Sequence, residues 1–387
     1  MNRYFPLCLI FVSAVAAAQP GSTCDPDTTA RPDSAVSDRL RALIKEKKFG
    51  AVQDELNDRL KRYERGVLSD MQLYRDISAA VKADVSMEPL LAQWVSGEPA
   101  SYFARLMKGM HHISVGYAKR GGEVADKTSV EQLGAMEVEF KKAVSELQAA
   151  RNIRPASALA NSALMTVANA VAGPSAVKGL LAEAEKLDPL TMAARYLAIT
   201  TLNPKWGGTF EDLDEIVVRA QSTALPAPQL RYLQYQVEME KAGFLDVFAK
   251  EKTKAISHYR LAAALCPGSP PWSKISSAAN TIQDWNTVRE AATQILSLHP
   301  KSAKDMQMRG WASEKLGKMD AAVQDYQGAA ELGEAWSQNK LGYLYMTGTG
   351  VAKDLPRAKT LLESAVAKGV PTALANLEWV NRQLGIK

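Results

Sequence analysis

The amino-acid sequence predicts an all-α chain, an α-solenoid assembled from antiparallel helix pairs. Three observations carry that expectation. Apolar residues recur at helical spacing along most of the length, no stretch shows the alternation of a strand, and the last third repeats itself at a fixed offset.

A first helix is expected over Ser34–Lys47, with Leu40, Leu43 and Ile44 on one face. A second is expected over Phe49–Arg65, with Phe49, Val52, Leu56, Leu60 and Tyr63 aligned. The break between them, at Lys47 to Gly50, is short enough to force an antiparallel hairpin. Helices follow over Met71–Val81, Met87–Val95 and Ser101–Arg120, punctuated by Pro89, Gly97, Pro99 and Gly121-Gly122, and then a long one over Ser129–Arg151. The pair Ala156–Ala172 and Ser175–Leu187 flanks Gly173-Pro174, where glycine closes one helix and proline opens the next. Thr191–Leu202 and Phe210–Gln221 flank Asn203-Pro204-Lys205-Trp206-Gly207-Gly208.

The repeat is clearest near the C-terminal end. Ala322, Tyr326, Ala329 and Gly333 align with Ala358, Leu362, Ala365 and Gly369, a register of 36 residues, and the preceding helices align through Gly310 and Gly342. Small residues at these points let two helices cross closely, and the Tyr or Leu fills the gap to the next pair. The second copy carries a longer, glycine-bearing turn beginning Gly348-Thr349-Gly350-Val351. A fainter copy lies at Ala255, Tyr259, Ala262 and Pro267. Such pairs bury their apolar faces only by stacking.

The chain has 387 residues, 47% hydrophobic and 23% charged, with 47 Lys plus Arg against 42 Asp plus Glu. That balance, without a basic block, argues against a nucleic-acid partner. Arg3, the apolar run Phe5 to Val15 and Ala16-Ala17-Ala18 read as a signal peptide of residues 1–18, cut after Ala18, which sends the protein to the periplasm or out of the cell. The run is shorter than the about 20 residues a membrane span needs. Residues 19–33 are expected to be a flexible lead-in, and Pro226-Ala227-Pro228 is the expected junction between a helical-repeat domain at 34–225 and a second repeat domain at 226–387. Once the signal is removed two cysteines remain, Cys24 and Cys266, and an oxidising compartment allows them to pair.

Leu341, Gly342, Tyr345, Gly348, Gly350, Val351, Asp354, Ala358, Ala365 and Gly369 together resemble a Sel1-like repeat, a relative of the tetratricopeptide repeat. The match departs at Leu361-Leu362, where the family has an aromatic pair. Residues 303–334 resemble an ordinary tetratricopeptide repeat through Gly310, Gly317, Ala322, Tyr326 and Ala329. The front two thirds are similar to the bacterial family called domain of unknown function 4034. The resemblance is carried by Glu88-Pro89-Leu90-Leu91 with Trp94, by Ser101-Tyr102 with Arg105, and by Asn203 to Gly208. These resemblances imply a bacterial envelope protein with helical repeats throughout, a tetratricopeptide/Sel1-like superhelix.

Motifs for chemistry are sparse. His111 and His112 are neighbours on a helix and point about 100° apart, so both cannot chelate one ion, and the pair reads as half-exposed rather than as a metal site. Ser175-Ala176-Val177-Lys178 matches S-x-x-K but lacks its S-D-N and K-T-G companions, and Ser175 reads as a helix cap. Gly348-Thr349-Gly350 lacks the lysine and the preceding strand of a phosphate loop, and His258 and His299 have no recognisable nucleophile beside them. No cofactor is expected.

The expected function is therefore a non-enzymatic scaffold that holds a protein or peptide in a groove lined by the first helix of each pair. Gln307, Arg309 and Ser313 in one repeat and Gln338, Asn339 and Tyr343 in the next are the candidate lining, and those polar residues read equally as a solvated face. Trp94, Trp206, Trp272, Trp285, Trp311, Trp336 and Trp379 are expected mainly as packing between repeats, with Trp311 and Trp336 the candidate anchors for a partner. The alternatives are an envelope hydrolase with its site in 34–225, which requires a cavity with converging ionisable groups, and a structural spacer.

Overall fold

A computed structural model describes residues 32–122 and 128–386. The described residues hold nineteen α-helices and no strand. In chain order these are α1 Ser34–Lys45, α2 Phe49–Glu64, α3 Asp70–Ala80, α4 Met87–Gly97, α5 Tyr102–Arg120, α6 Val130–Ile153, α7 Leu159–Ala172, α8 Pro174–Leu187, α9 Met192–Thr201 and α10 Phe210–Gln221. They continue with α11 Ala227–Val247, α12 Lys252–Leu265, α13 Ser269–Thr281, α14 Trp285–Leu298, α15 Ala303–Lys315, α16 Met319–Glu331, α17 Ala335–Thr347, α18 Leu355–Ala367 and α19 Pro371–Gln383.

The chain divides into two compact units that interleave. The first runs to Leu197 and takes in Arg219–Tyr232, and the second holds Ala198–Val218 and everything from Leu233 onward. Pro226-Ala227-Pro228 stands at the head of α11, where the Leu230 amide donates to the Pro226 carbonyl at 3.0 Å. A helix start is where missing amide hydrogens cost least.

Local signals place the helix ends in the first unit. The Asp33 carboxylate accepts the Ala35 and Val36 amides at the head of α1, while Ser69 and Ser101 cap α3 and α5. Ser129 and Gln132 form a reciprocal capping box on α6. Ser175, expected as a cap, lies inside α8 instead: Gly173 is the N-cap and Pro174 opens the helix. Proline's fixed φ suits that first position better than serine's side chain suits the next one. The core of this unit is continuous from Val36 to Val167 and includes Trp94, which stacks on Phe49 at 5.5 Å.

In the second unit the 36-residue register is structural. Ala322, Tyr326 and Ala329 are fully buried, as are Ala358, Leu362 and Ala365. Gly333 and Gly369 close their helices with φ of 86° and 79°, a conformation that glycine adopts without strain. A Cβ on Gly310 would lie 3.0 Å from the Tyr326 ring, and one on Gly342 would lie 2.8 Å from Leu362. The upstream copy follows suit, with Ala255, Tyr259 and Ala262 buried. The longer turn reverses through Gly348, at φ 76°, and Asp354 then caps α18 by accepting the Arg357 amide.

The segment 203–208 is built to a tight specification. Asn203 is buried, donates to the Glu240 carbonyl at 3.2 Å and to its carboxylate at 2.7 Å, and accepts the Lys205 amide. A Cβ on Gly208 would fall 1.9 Å from the Leu202 carbonyl oxygen, which is backbone and has nowhere to go. Gly208→Ala is expected to destabilise by about 2–3 kcal/mol, as overpacking against a rigid neighbour does. Gly243→Ala, inside α11 with nothing within 4 Å, is expected to stabilise by about 0.5–1 kcal/mol. Urea unfolding of the two variants checks the pair, and a neutral Gly208→Ala contradicts the tight turn.

Candidate functional site

The polar residues that the sequence offers as groove lining take two different positions. Ser313, Gln338 and Asn339 are turned into the array and buried. Gln338 donates to the Ala330 carbonyl at 3.1 Å and accepts from Ser364 and Lys368, and Asn339 bonds Thr372 and Asn376. Arg309 is half-buried and makes a forked ion pair with Asp325 of α16 at 2.7–3.1 Å. The physical reason is helix phase: Gly310 and Gly342 fix the side that meets the second helix, and residues three or four positions away share it.

The more open stripe of α15 runs through Lys304, Met308, Trp311 and Lys315, and that of α17 through Trp336, Lys340, Tyr343 and Thr347; Lys304, Lys315, Tyr343 and Thr347 are exposed and the other four are half-buried. These two sets match one to one at an offset of 32 residues and rise along one helical stripe. Gln307 lies half-buried beside the first. Tyr343 is 42% exposed, with the Lys340 ammonium 5.8 Å from its ring centre. Trp311 meets Trp285 edge-on at 5.0 Å, and Trp336 meets Tyr326 at 5.7 Å. Both candidate anchors are therefore half-packed. Among the seven tryptophans only Trp206 is exposed, at 47%.

A second feature, unannounced by any motif, is a cleft of about 560 Å³ in the first unit. The end of α2 supplies Leu60, Tyr63 and Glu64, the start of α3 supplies Asp70, the α6–α7 loop supplies Arg154 and Ser157, and the end of α8 with the α8–α9 loop supplies Leu187, Asp188 and Leu190. The head of α11 adds Gln229. Asp70 ties these segments together. It is buried and accepts the Thr191 hydroxyl at 2.6 Å and the Met192 and Ala193 amides at 3.0 Å each, so a carboxylate from α3 caps the N-terminus of α9. Arg195, fully buried, holds the same loop from beneath through the Pro189 and Thr191 carbonyls and Glu185. Tyr63 donates its hydroxyl to Asp188, whose other oxygen accepts the Leu190 amide at 2.9 Å.

The chemistry available there is limited. Burial, then the bond to Asp188, pushes the Tyr63 phenol up, so it stays protonated. Burial likewise raises Asp70 despite its bonds to Thr191 and the two amides. Ser69 caps α3 and Ser157 bonds the Tyr102 hydroxyl at 2.7 Å. No Cys or His lines the cleft, and of its hydroxyls Tyr63 donates to Asp188.

The histidine pair expected to be half-exposed is buried on both members. Gly109 and Gly116 bring α6 close enough that a Cβ on either would lie 2.6–2.7 Å from Leu147 or Phe140. Each imidazole then serves a different neighbour. His111 donates from Nδ1 to the Val81 carbonyl at 3.1 Å, and His112 donates from Nδ1 to Glu139 at 2.8 Å. Glu139 also accepts Lys119 at 2.7 Å and Lys142 at 3.2 Å. Among the described residues no group of three or more His, Cys, Asp or Glu is placed to hold a metal ion. His258 is bound to Glu238 at 2.6 Å, and His299 stands exposed after α14. Cys266 is disulfide-bonded, and Cys24 lies outside the described residues. No helix among the described residues is long and apolar enough to cross a membrane.

Residues 37–200 match the family described as domain of unknown function (DUF4034). The segment 203–208 lies beyond that match. No curated protein matches the chain at a significant level. Among solved structures, a protective antigen of uropathogenic Escherichia coli strains, c5321, which displays an SLR fold, is 16% identical. The alignment covers 89% of this chain and 84% of that one, with a TM-score of 0.32. A Sel1 repeat protein from Oxalobacter formigenes is 15% identical over 88% of this chain and 94% of its own, with a TM-score of 0.33. The APC/C hetero-tetramer Cut9-Hcn1 is 14% identical over 89% of this chain, with a TM-score of 0.32, and the chain spans only 63% of its length.

The Glu139 cluster sets a pH dependence. Burial lowers His112 more than Glu139 raises it, so the fold holds the neutral imidazole. The unfolded chain binds that proton near pH 6.5, and stability is expected to fall as pH drops below about 6.5. Burial alone would raise Glu139, but Lys119, His112 and Lys142 hold it at about 2. Its contribution is present above about pH 4.5 and is lost as pH falls towards 2. Urea unfolding at pH 8, 5.5 and 3 is expected to show both losses in the native chain and to lack the first in His112→Gln.

Proposed function

We propose that this chain is an exported, non-catalytic repeat scaffold that holds a protein or peptide partner on the open face of the first helices in its second unit. The observation that carries the reading is the stripe repeated on α15 and α17. Arg309, Gln338 and Asn339 on these helices are bonded within the array, whereas Tyr343 is exposed beside the Lys340 ammonium and Trp311 meets edge-on the Trp285 ring that the Lys315 ammonium covers. Rigid aromatic rings lose little conformational entropy on binding and serve as interface anchors. Lys304 and Lys315 are exposed and Lys340 is shared with Glu314 at 2.6 Å, a balance that favours partner segments carrying carboxylates beside apolar side chains.

Export is supported by the positive, apolar and small-residue order of residues 3–18, and the disulfide at Cys266 suits an oxidising compartment. Cys24 is the other cysteine that remains after cleavage behind Ala18, and it is the partner we assign to Cys266.

A photo-crosslinking residue at position 343 is expected to capture a polypeptide in living cells, and one at Glu363, exposed on α18, is expected to capture none. Equal capture at both positions, or none at either, overturns the reading. Mass mapping of the mature protein without reduction is expected to find Gln19 at the N-terminus and a Cys24–Cys266 peptide. Free thiols or a retained leader contradict export with pairing.

A further inference from the structure

The cleft of the first unit is a different site from the open stripe, and its lining describes a ligand of a different kind. Its floor is aliphatic, with Leu60, Leu159 and Met192 all buried, and Leu187 and Leu190 extend that surface to the mouth, where they are 41% and 45% exposed. Its volume of about 560 Å³ is in the range of small-molecule and side-chain sites. At one end the floor meets the Tyr63 ring and Asp188.

The charges around it are unequal. Glu64, Asp70 and Asp188 contribute three carboxylates, and Arg154, the one cation in the lining, is held by Glu64 at 3.0 Å. Asp70 is committed to the N-terminus of α9. Asp188 is not filled: one oxygen accepts the Leu190 amide and the other the Tyr63 hydroxyl, and each carboxylate oxygen can accept a second bond. Tyr63 and the Leu190 amide hold that carboxylate in place, so a cation entering the cleft meets an ordered acceptor. The Tyr63 ring beside it offers a π face, which attracts ammonium groups.

We propose that this cleft binds an alkylammonium chain: the methylenes lie along Leu60, Leu159, Leu187 and Leu190, and the terminal ammonium sits at Asp188 against Tyr63. That chemistry occurs in the lysine side chain of a polypeptide and in free aliphatic diamines. No covalent step is involved.

Calorimetric titration of the full mature chain tests it with three probes: N-acetyl-Leu-Lys-Leu-amide, the same peptide with norleucine in place of lysine, and 1,5-diaminopentane. The expected result is binding of the lysine peptide or the diamine, weakened by added salt, with the norleucine peptide at least tenfold weaker. Binding of the peptide alone assigns the site to a polypeptide lysine, and binding of the diamine alone assigns it to a free amine. Asp188→Asn is expected to weaken the bound probe at least tenfold. Leu190→Lys, at an exposed position that leaves the fold intact, is expected to do the same by placing a resident ammonium at the mouth. Equal binding of the norleucine and lysine peptides, no binding by any probe, or full affinity in Leu190→Lys overturns the proposal.

Discussion

Close helix crossing at glycine is the constraint on which the rest of this structure depends. In the first unit Gly109 and Gly116 let Leu147 and Phe140 lie against the backbone of α5, and in the second Gly310 and Gly342 do the same for Tyr326 and Leu362. A missing side chain admits a large one from the facing helix, and the contact gains dispersion over the length of the ring or branch. Each such glycine also fixes rotation. Once it selects the side of the helix that is buried, it selects the side that meets solvent, and the display of Trp311 and Tyr343 follows from that choice.

Buried polar residues complete the design by holding loops and helix heads. Asp76, fully buried, takes the Arg59 guanidinium, the Gln72 amide and the backbone N–H of Asp33, and so binds α2 and α3 to the segment ahead of α1. The residues that carry the likeness to the domain of unknown function serve the same end. Trp94 stacks in the core, Ser101 caps α5 and bonds Gln53, Tyr102 bonds Ser157, and Arg105 pairs with Glu146 at 2.7 Å. A motif made of such fasteners transmits a fold rather than a function.

The 36-residue register was legible because small, aromatic, small and terminating residues recur in the text of the sequence as they do in space. Which face stays open was less legible. Ser313, Gln338 and Asn339 are polar, and polarity reads as exposure, yet their position relative to Gly310 and Gly342 decides the matter and each is bonded or enclosed inside. Counting from the glycines instead of from polarity finds Trp311 and Tyr343. The His111-His112 pair misled in the same way, because its partners are distant in sequence: His111 meets the Val81 carbonyl, and His112 meets Glu139 on the helix that Gly109 and Gly116 admit. The cleft left no trace at all. Its walls come from residues as far apart as Leu60 and Gln229, and the Asp70 side chain that orders it bonds Thr191, 121 positions away.

Glycine crossings set the rotation of each helix and thereby the surface that it leaves open. Hydroxyl-radical footprinting of the purified chain, read residue by residue by mass spectrometry, measures that rotation directly. Tyr343 and Trp206 are expected to oxidise rapidly, Trp311 at an intermediate rate, and Tyr326 and Trp94 slowly, following exposures of 42%, 47%, partial, 0% and 1%. Oxidation of Tyr326 as fast as Tyr343 would contradict the account.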